Sequence, residues 1–388
     1  MTAVASIVLV LLAVFTLRRG ACWLASCVPA RPDAAADRFV IALAVVARDE
    51  EAALPQCLAA LSQLRYPRER LHFVLVSDAS TDGTAHLFRQ WAARQCGAIV
   101  IELPKRLGKG GALQRALQAA PASDLFVSID ADAIAQPDCI ARLAGAFEDP
   151  RVGLASGYAA PGNAAASWVA RYAALERWVY HLVMLAGKDR LRANPPAAGV
   201  VCAYRRSTLD ALGGFPLGHL AEDVEISGAF IRAGWRTRWM REAVVREDVV
   251  ASLDAFWAQR HRWSRGLYAT AMRARGPEAW LVAAGYCDRL VFVIALVLAA
   301  AGAIHWAWLA AYLCAPFAML LTGLRRSGVR APLTYLAALP LFALDIATAA
   351  YSAWSLVTRR AVAWERAAIL PARAESGAPR VPGGVPER

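Results

Sequence analysis

Charge is scarce in this 388-residue chain: Asp, Glu, Lys and Arg together make up 19% of it, against about 25% in an ordinary globular domain. The hydrophobic share is 58%, above the usual value of about 45–50%, so part of the chain is expected in lipid. The eight cysteines (Cys22, Cys27, Cys57, Cys96, Cys139, Cys202, Cys287 and Cys314) include no CxxC pair and no Cys/His cluster of zinc-like spacing. That excludes a structural zinc and a disulfide framework. Helix-turn-helix and RNA-binding signatures are also missing, so the net charge of +12 does not point to nucleic acid. Much of the basic excess flanks apolar runs, at Arg18-Arg19, Arg325-Arg326 and Arg359-Arg360, which suits the edges of membrane segments.

Those runs divide the chain. Residues 4–17 are almost wholly apolar and end at Arg18-Arg19. No charged n-region precedes them and no clean cleavage site follows, which argues against a signal peptide. Residues 1–20 are therefore expected to be a membrane anchor with its basic end in the cytoplasm. Residues 271–289 are expected to hold an interfacial segment, amphipathic over 279–287. Three spans, 290–303, 304–324 and 333–357, follow within residues 290–357, although the first is short for a bilayer needing about 20 residues. The tail, residues 358–388, is rich in Gly and Pro and expected to be partly disordered. With the middle of the chain inside, Arg325, Arg326 and Arg330 obey the positive-inside rule. Arg359 and Arg360 then break it, unless one segment is re-entrant or interfacial.

Residues 39–270 are soluble in character. Apolar β-rich runs at 39–47, 72–77, 98–103, 125–129 and 152–156 alternate with helical spacing at 50–64 and 84–93. This is the pattern of an α/β domain with a mostly parallel sheet, whose ligands bind beyond the carboxyl ends of the strands. Polar clusters at those ends are the places to look. Asp78, in Ser77-Asp78-Ala79-Ser80-Thr81-Asp82-Gly83, can accept hydrogen bonds from a base or ribose, or cap a helix; Asp82 and Thr81 are expected to cap. The run Arg106-Leu107-Gly108-Lys109-Gly110-Gly111 leads into a helix, where glycines allow close approach and Lys109 adds a positive charge for an anion. A solvated basic turn has the same composition.

A sharper signal is Ile129-Asp130-Ala131-Asp132, an apolar strand delivering two carboxylates one residue apart. Such a pair suits a divalent cation that bridges diphosphate oxygens. Asp223, in Ala221-Glu222-Asp223-Val224, can be a general base or a helix cap, with Glu222 and Glu225 matching the helix dipole. Gln259, Arg262 and Trp263 fall on one face of an amphipathic helix. Arg262 can hold a departing diphosphate, and Trp263 offers a flat face to a sugar ring. A membrane-interface Arg/Trp belt has the same look.

Taken together, the DxD at Asp130–Asp132, the ED at Glu222–Asp223 and the QxxRW at Gln259–Trp263 resemble the processive branch of the family 2 glycosyltransferases. That branch includes the cellulose, chitin, hyaluronan and poly-N-acetylglucosamine synthases. The resemblance runs from about residue 45 to residue 265. It implies a GT-A fold, a UDP-sugar donor, Mg²⁺ or Mn²⁺, inversion at the anomeric carbon, and a polysaccharide or a lipid as acceptor. By the same resemblance, Arg48 and Glu50 line the nucleotide pocket, Asp78 contacts uracil and Lys109 the nucleotide. Asp130 meets the ribose or metal, Asp132 the metal, and Asp223 is the base. Arg262 lies at the diphosphate, and Gln259 and Trp263 at the acceptor. The implied location is a plasma or inner membrane, with the catalytic domain cytoplasmic. Two departures stand out: Ser77 occupies a position often held by Asp, and Ala79 one usually held by Gly.

Overall fold

The computed structural model describes residues 3–29, 34–217, 221–273 and 277–358, with the side chains of 271, 273 and 277–287 left aside. Most of the tail expected to be disordered thus lies outside the described residues. Among the described residues, eight strands run in chain order: β1 (Ile41–Ala47), β2 (Leu71–Ser77), β3 (Ile99–Glu102), β4 (Leu125–Asp130), β5 (Ile134–Ala135), β6 (Val152–Pro161), β7 (Val201–Arg205) and β8 (Arg236–Glu247). They form one sheet in the order β3-β2-β1-β4-β7-β6-β8-β5. β1 pairs in parallel with β2 and β4, β2 with β3, and β6 with β8, while β7 runs antiparallel between β4 and β6. This is the mixed, mostly parallel sheet of the GT-A fold.

Helices cover both faces of the central strands, which is why β1 reads as an unbroken apolar run rather than an alternating one. Its odd residues Ile41, Leu43 and Val45 pack with Phe73, Leu75, Phe88 and Trp91. Its even residues Ala42 and Ala44 pack with Val74, Val76, Leu113, Phe126 and Phe230 on the other face. That two-residue period follows from the pleat. β7 and β8 are absent from the pattern read in the sequence. β8 begins Arg-Thr-Arg-Trp, a true alternation whose arginines disguise a strand half-turned to solvent.

Beyond the sheet, the helix Ala3–Cys27 continues well past Arg18-Arg19. The arginines do not end it because they point at partners. Arg19 forms an ion pair with Asp288, and its guanidinium lies 5.0 Å from the Tyr312 ring. A single helix, Pro277–Ala300, runs through the boundary expected near residue 289. The helix Trp306–Ser327 follows, and Pro332–Leu336 and Leu341–Val357 complete the set. Among the described residues, three stretches are long and apolar enough to cross a membrane: Ala3–Cys27, Trp306–Ser327 and Pro332–Val357. Ala5, Val8, Leu12 and Phe15 pack against Val291, Ala295, Leu309 and Tyr312. Val4, Ile7, Val10, Val14 and Leu17 lie on the exposed outward face of the same helix.

The bundle and the domain meet closely at one glycine. A Cβ on Gly187 would sit 2.0 Å from the Cys22 carbonyl oxygen, whereas one on Gly20 would meet nothing within 4 Å. Gly187→Ala is therefore expected to cost about 1–3 kcal/mol through overpacking and to lower the thermal midpoint of the detergent-solubilised protein. Gly20→Ala should leave the midpoint unchanged or raise it, since alanine favours a helix by about 1 kcal/mol.

Candidate active site

The site lies at the carboxyl ends of β1, β2 and β4, where helix-forming loops follow each strand. Two of those loops are laced together. Asp49, held at φ 54°, accepts from the Thr81 amide at 2.7 Å and the Thr81 hydroxyl at 3.2 Å. Glu51 accepts from the Gly83 amide at 2.8 Å. Asp82 takes the Thr84 amide at 3.0 Å, the capping role expected of it, while the Thr81 hydroxyl serves Asp49 instead. Ala79 has φ 54°, a left-handed conformation that glycine adopts more readily.

Asp78 is 3% exposed, and its carboxylate accepts from the Leu107 and Gly108 amides at 2.7 and 2.9 Å. It thus caps a helix, but one 30 residues downstream, Gly108–Ala119, rather than the helix that follows it. Holding that turn delivers Lys109 to the centre of the site. The Lys109 ammonium is 2.6 Å from Asp130, 3.7 Å from Glu222, and donates to the Gly199 carbonyl at 3.0 Å. Burial works against its charge, but Asp130, Glu222 and Asp223 outweigh burial and raise its pKa. Burial likewise lifts the Asp130 carboxyl above the ordinary range, and Lys109 opposes that lift.

Asp130, Asp132 and Glu247 each bring a ligand oxygen within 4.8 Å of the others. Three carboxylates converging in this way fit a hard divalent cation. Desolvation and then Glu247 push the pKa of Asp132 upward, while Lys109 and Arg177 oppose that rise. Glu247 was missed in the sequence because nothing local marks it. It arrives by pairing: β5 opens two residues after Asp132 and runs antiparallel to β8, with Ile134 opposite Arg246. Arg177 forms an ion pair with Glu247. Desolvation and then Asp132, Asp82 and Asp49 raise the pKa of Glu50, whose amide donates to the Thr84 hydroxyl at 2.8 Å. Arg48 pairs with Asp49 at 3.4 Å on the rim.

Asp223 opens the helix Glu222–Arg232. One carboxylate oxygen accepts from the Val224 amide at 2.9 Å; the other faces Gly199, where an added Cβ would approach to 2.8 Å. Burial, then Glu222, raise the Asp223 pKa, which suits a base working near neutrality. Gln259, Arg262 and Trp263 lie on the helix Leu253–Arg273. Among the described residues no hydrogen bond or ion pair links them to the carboxylates. The helix reaches this side of the domain through Thr270, which donates to Glu225 at 3.0 Å.

A sheet of this order, with a paired-carboxylate strand end and a downstream acid, is the arrangement of a GT-A domain. The profile of the glycosyltransferase-like family 2 matches residues 38–266, and the chain belongs to that family. An N-acetylglucosaminyltransferase of Mesorhizobium japonicum is 30% identical over 232 residues, 57% of this chain and 54% of that protein. The probable glycosyltransferase YdaM of Bacillus subtilis is 28% identical, over 58% of this chain and 54% of its own length. A beta-monoglucosyldiacylglycerol synthase of Nostoc is 26% identical, over 59% of this chain and 49% of its own. The chain thus spans about half the length of the curated relatives it matches. In fold, it resembles the mannosyltransferase PcManGT of Pyrobaculum calidifontis, solved with GDP-Man and Mn²⁺, at a TM-score of 0.55 and 22% identity, over 91% of this chain and 100% of that one.

Gly199 has φ +78°, so Gly199→Ala both strains the loop and drives the Asp223 carboxylate aside. Turnover should fall on the order of 100-fold, as small misplacements of reacting groups do. The donor KM should change little, a split that steady-state kinetics reads directly.

Proposed function

We propose that this enzyme is an inverting, divalent-cation-dependent transferase that moves a hexose or N-acetylhexosamine from a UDP-sugar to a growing polysaccharide. The observation that carries the reading is the gathering of Asp130, Asp132, Glu247, Lys109 and Asp223 around one strand end. Mg²⁺ or Mn²⁺ held by Asp130, Asp132 and Glu247 would supply positive charge to the diphosphate leaving group. Arg262 adds a guanidinium on the membrane side for the same charge. Asp78 fixes the turn that presents Lys109 beside the nucleotide, and Arg48 and Glu50 line the pocket. Gln259 and Trp263 hold the acceptor sugar.

Asp223 takes the proton of the acceptor hydroxyl as that oxygen attacks the anomeric carbon. The bond from that carbon to the diphosphate oxygen breaks, and its electron pair leaves with UDP. One base suffices, because the leaving group is stabilised as an anion and needs no proton. The three apolar stretches support a multi-pass protein of the plasma or inner membrane with the catalytic domain in the cytoplasm, where nucleotide sugars are made. A second reading, single transfer to a lipid, is favoured by the likeness to a beta-monoglucosyldiacylglycerol synthase.

The test is UDP release from UDP-glucose, UDP-N-acetylglucosamine and UDP-galactose with Mn²⁺, followed by product sizing with labelled donor. A polymer ladder supports the first reading; one discrete glycolipid supports the second and sinks the first. Asp223→Asn should lower kcat by about 10²–10⁴-fold. Since the base works deprotonated, wild-type kcat should rise with pH through a pKa above the usual carboxylate range. That acid limb should vanish in the variant, and its survival would remove Asp223 from the role.

A further inference from the structure

We infer that Arg260 is a positioning residue for the Gln259–Trp263 segment, seated by a largely buried four-charge network that ties acceptor binding to the membrane helices. The inference rests on the reading of Trp263 as an acceptor-side residue. Arg260 is 5% exposed and forms an ion pair with Glu176 of the helix Trp168–Val179. It also lies 3.8 Å from Asp345 on the helix Leu341–Val357. Arg289, on Pro277–Ala300, closes the ring at 3.2 Å from Glu176 and 2.7 Å from Asp345. Two acids and two arginines from four helices thus balance one another, with Arg260 and Asp345 buried and Glu176 and Arg289 half-buried, where an unmatched buried charge would be very costly.

The ring holds a guanidinium plane in place. Arg260 lies 4.8 Å from the Phe256 ring centroid and 5.0 Å from that of Trp263, its neighbours at i−4 and i+3 on one helix face. His261 and Arg265 fasten the same side, to Ser352 at 2.8 Å and Ser355 at 2.7 Å. Arg260, His261, Ser264 and Arg265 are buried while Arg262 is exposed, so the network fixes the rotation of the helix about its axis. It also has a route to the carboxylates. Glu176 is followed by Arg177, the partner of Glu247. Two consecutive residues of one helix therefore touch the membrane network and a proposed metal ligand.

The experiment uses the full chain in lipid nanodiscs, with UDP-glucose and dioleoylglycerol, and with UDP-N-acetylglucosamine and chitotetraose. Arg260→Lys keeps the charge but loses the flat stacking plane. It should raise acceptor KM about ten-fold and leave donor KM within about two-fold. In a Trp263→Leu background, the same change should add less than about two-fold, because the aromatic face it orders is gone. Equal losses in both backgrounds, or donor and acceptor terms moving together, would overturn the inference. Hydrogen exchange gives a readout independent of turnover. Arg260→Lys and Asp345→Asn should speed exchange over residues 257–266 about ten-fold, with β4 unchanged. Unchanged exchange over 257–266 would also overturn it. Faster exchange there, with acceptor KM unmoved by Trp263→Leu, would support the positioning and overturn the acceptor reading instead.

Discussion

Lys109 stands between Asp130 and Glu222 and close enough to Asp223 to feel its charge, and the rest of the site depends on that one ammonium. Carboxylates withdrawn from water repel one another, and without a counter-charge they would take up protons or push the loops apart. Much of the local structure serves to place this group. Asp78 spends both carboxylate oxygens on the turn before it. Gly199 offers its carbonyl to the ammonium and, lacking a side chain, leaves room for Asp223. One ammonium facing three carboxylates still leaves the site net acidic, which the proposed cation would complement.

The same principle recurs where the domain meets the helix bundle. Arg19 with Asp288, and Arg260 and Arg289 with Glu176 and Asp345, are pairs made across helices far apart in sequence. Arg326 does similar work with uncharged partners, donating to the Leu182 carbonyl at 2.7 Å and the Ser26 carbonyl at 2.8 Å. Leu182 lies in the π-helical stretch Tyr180–Leu185, whose register change frees carbonyls that need such donors. Domain and bundle are therefore joined by directed polar contacts as well as by apolar packing.

How far the sequence could be read follows from this. β1, β2 and β4 were legible because strands buried on both faces must be continuously apolar, and Asp130 and Asp132 stood out at the end of such a run. Asp223 looked like any helix-start acid; only its company with the DxD and QxxRW segments gave it another meaning. Glu247 was not legible at all, since it joins Asp132 only through the pairing of β5 with β8. Arg18-Arg19 read as the end of a helix because a lone segment would place them in water. The partner that lets the helix continue, Asp288, lies 269 residues away. Local pattern reveals elements, whereas charges that answer one another across the fold become visible only once it is assembled.

The central claim is that the Lys109-balanced carboxylates bind a nucleoside diphosphate together with a divalent cation. Calorimetric titration of UDP into the full chain, with and without Mn²⁺, tests it most directly. The account predicts binding at least about ten-fold tighter with Mn²⁺, and loss of that gain in Asp132→Asn. UDP binding of equal strength without metal, and unchanged by Asp132→Asn, would contradict it.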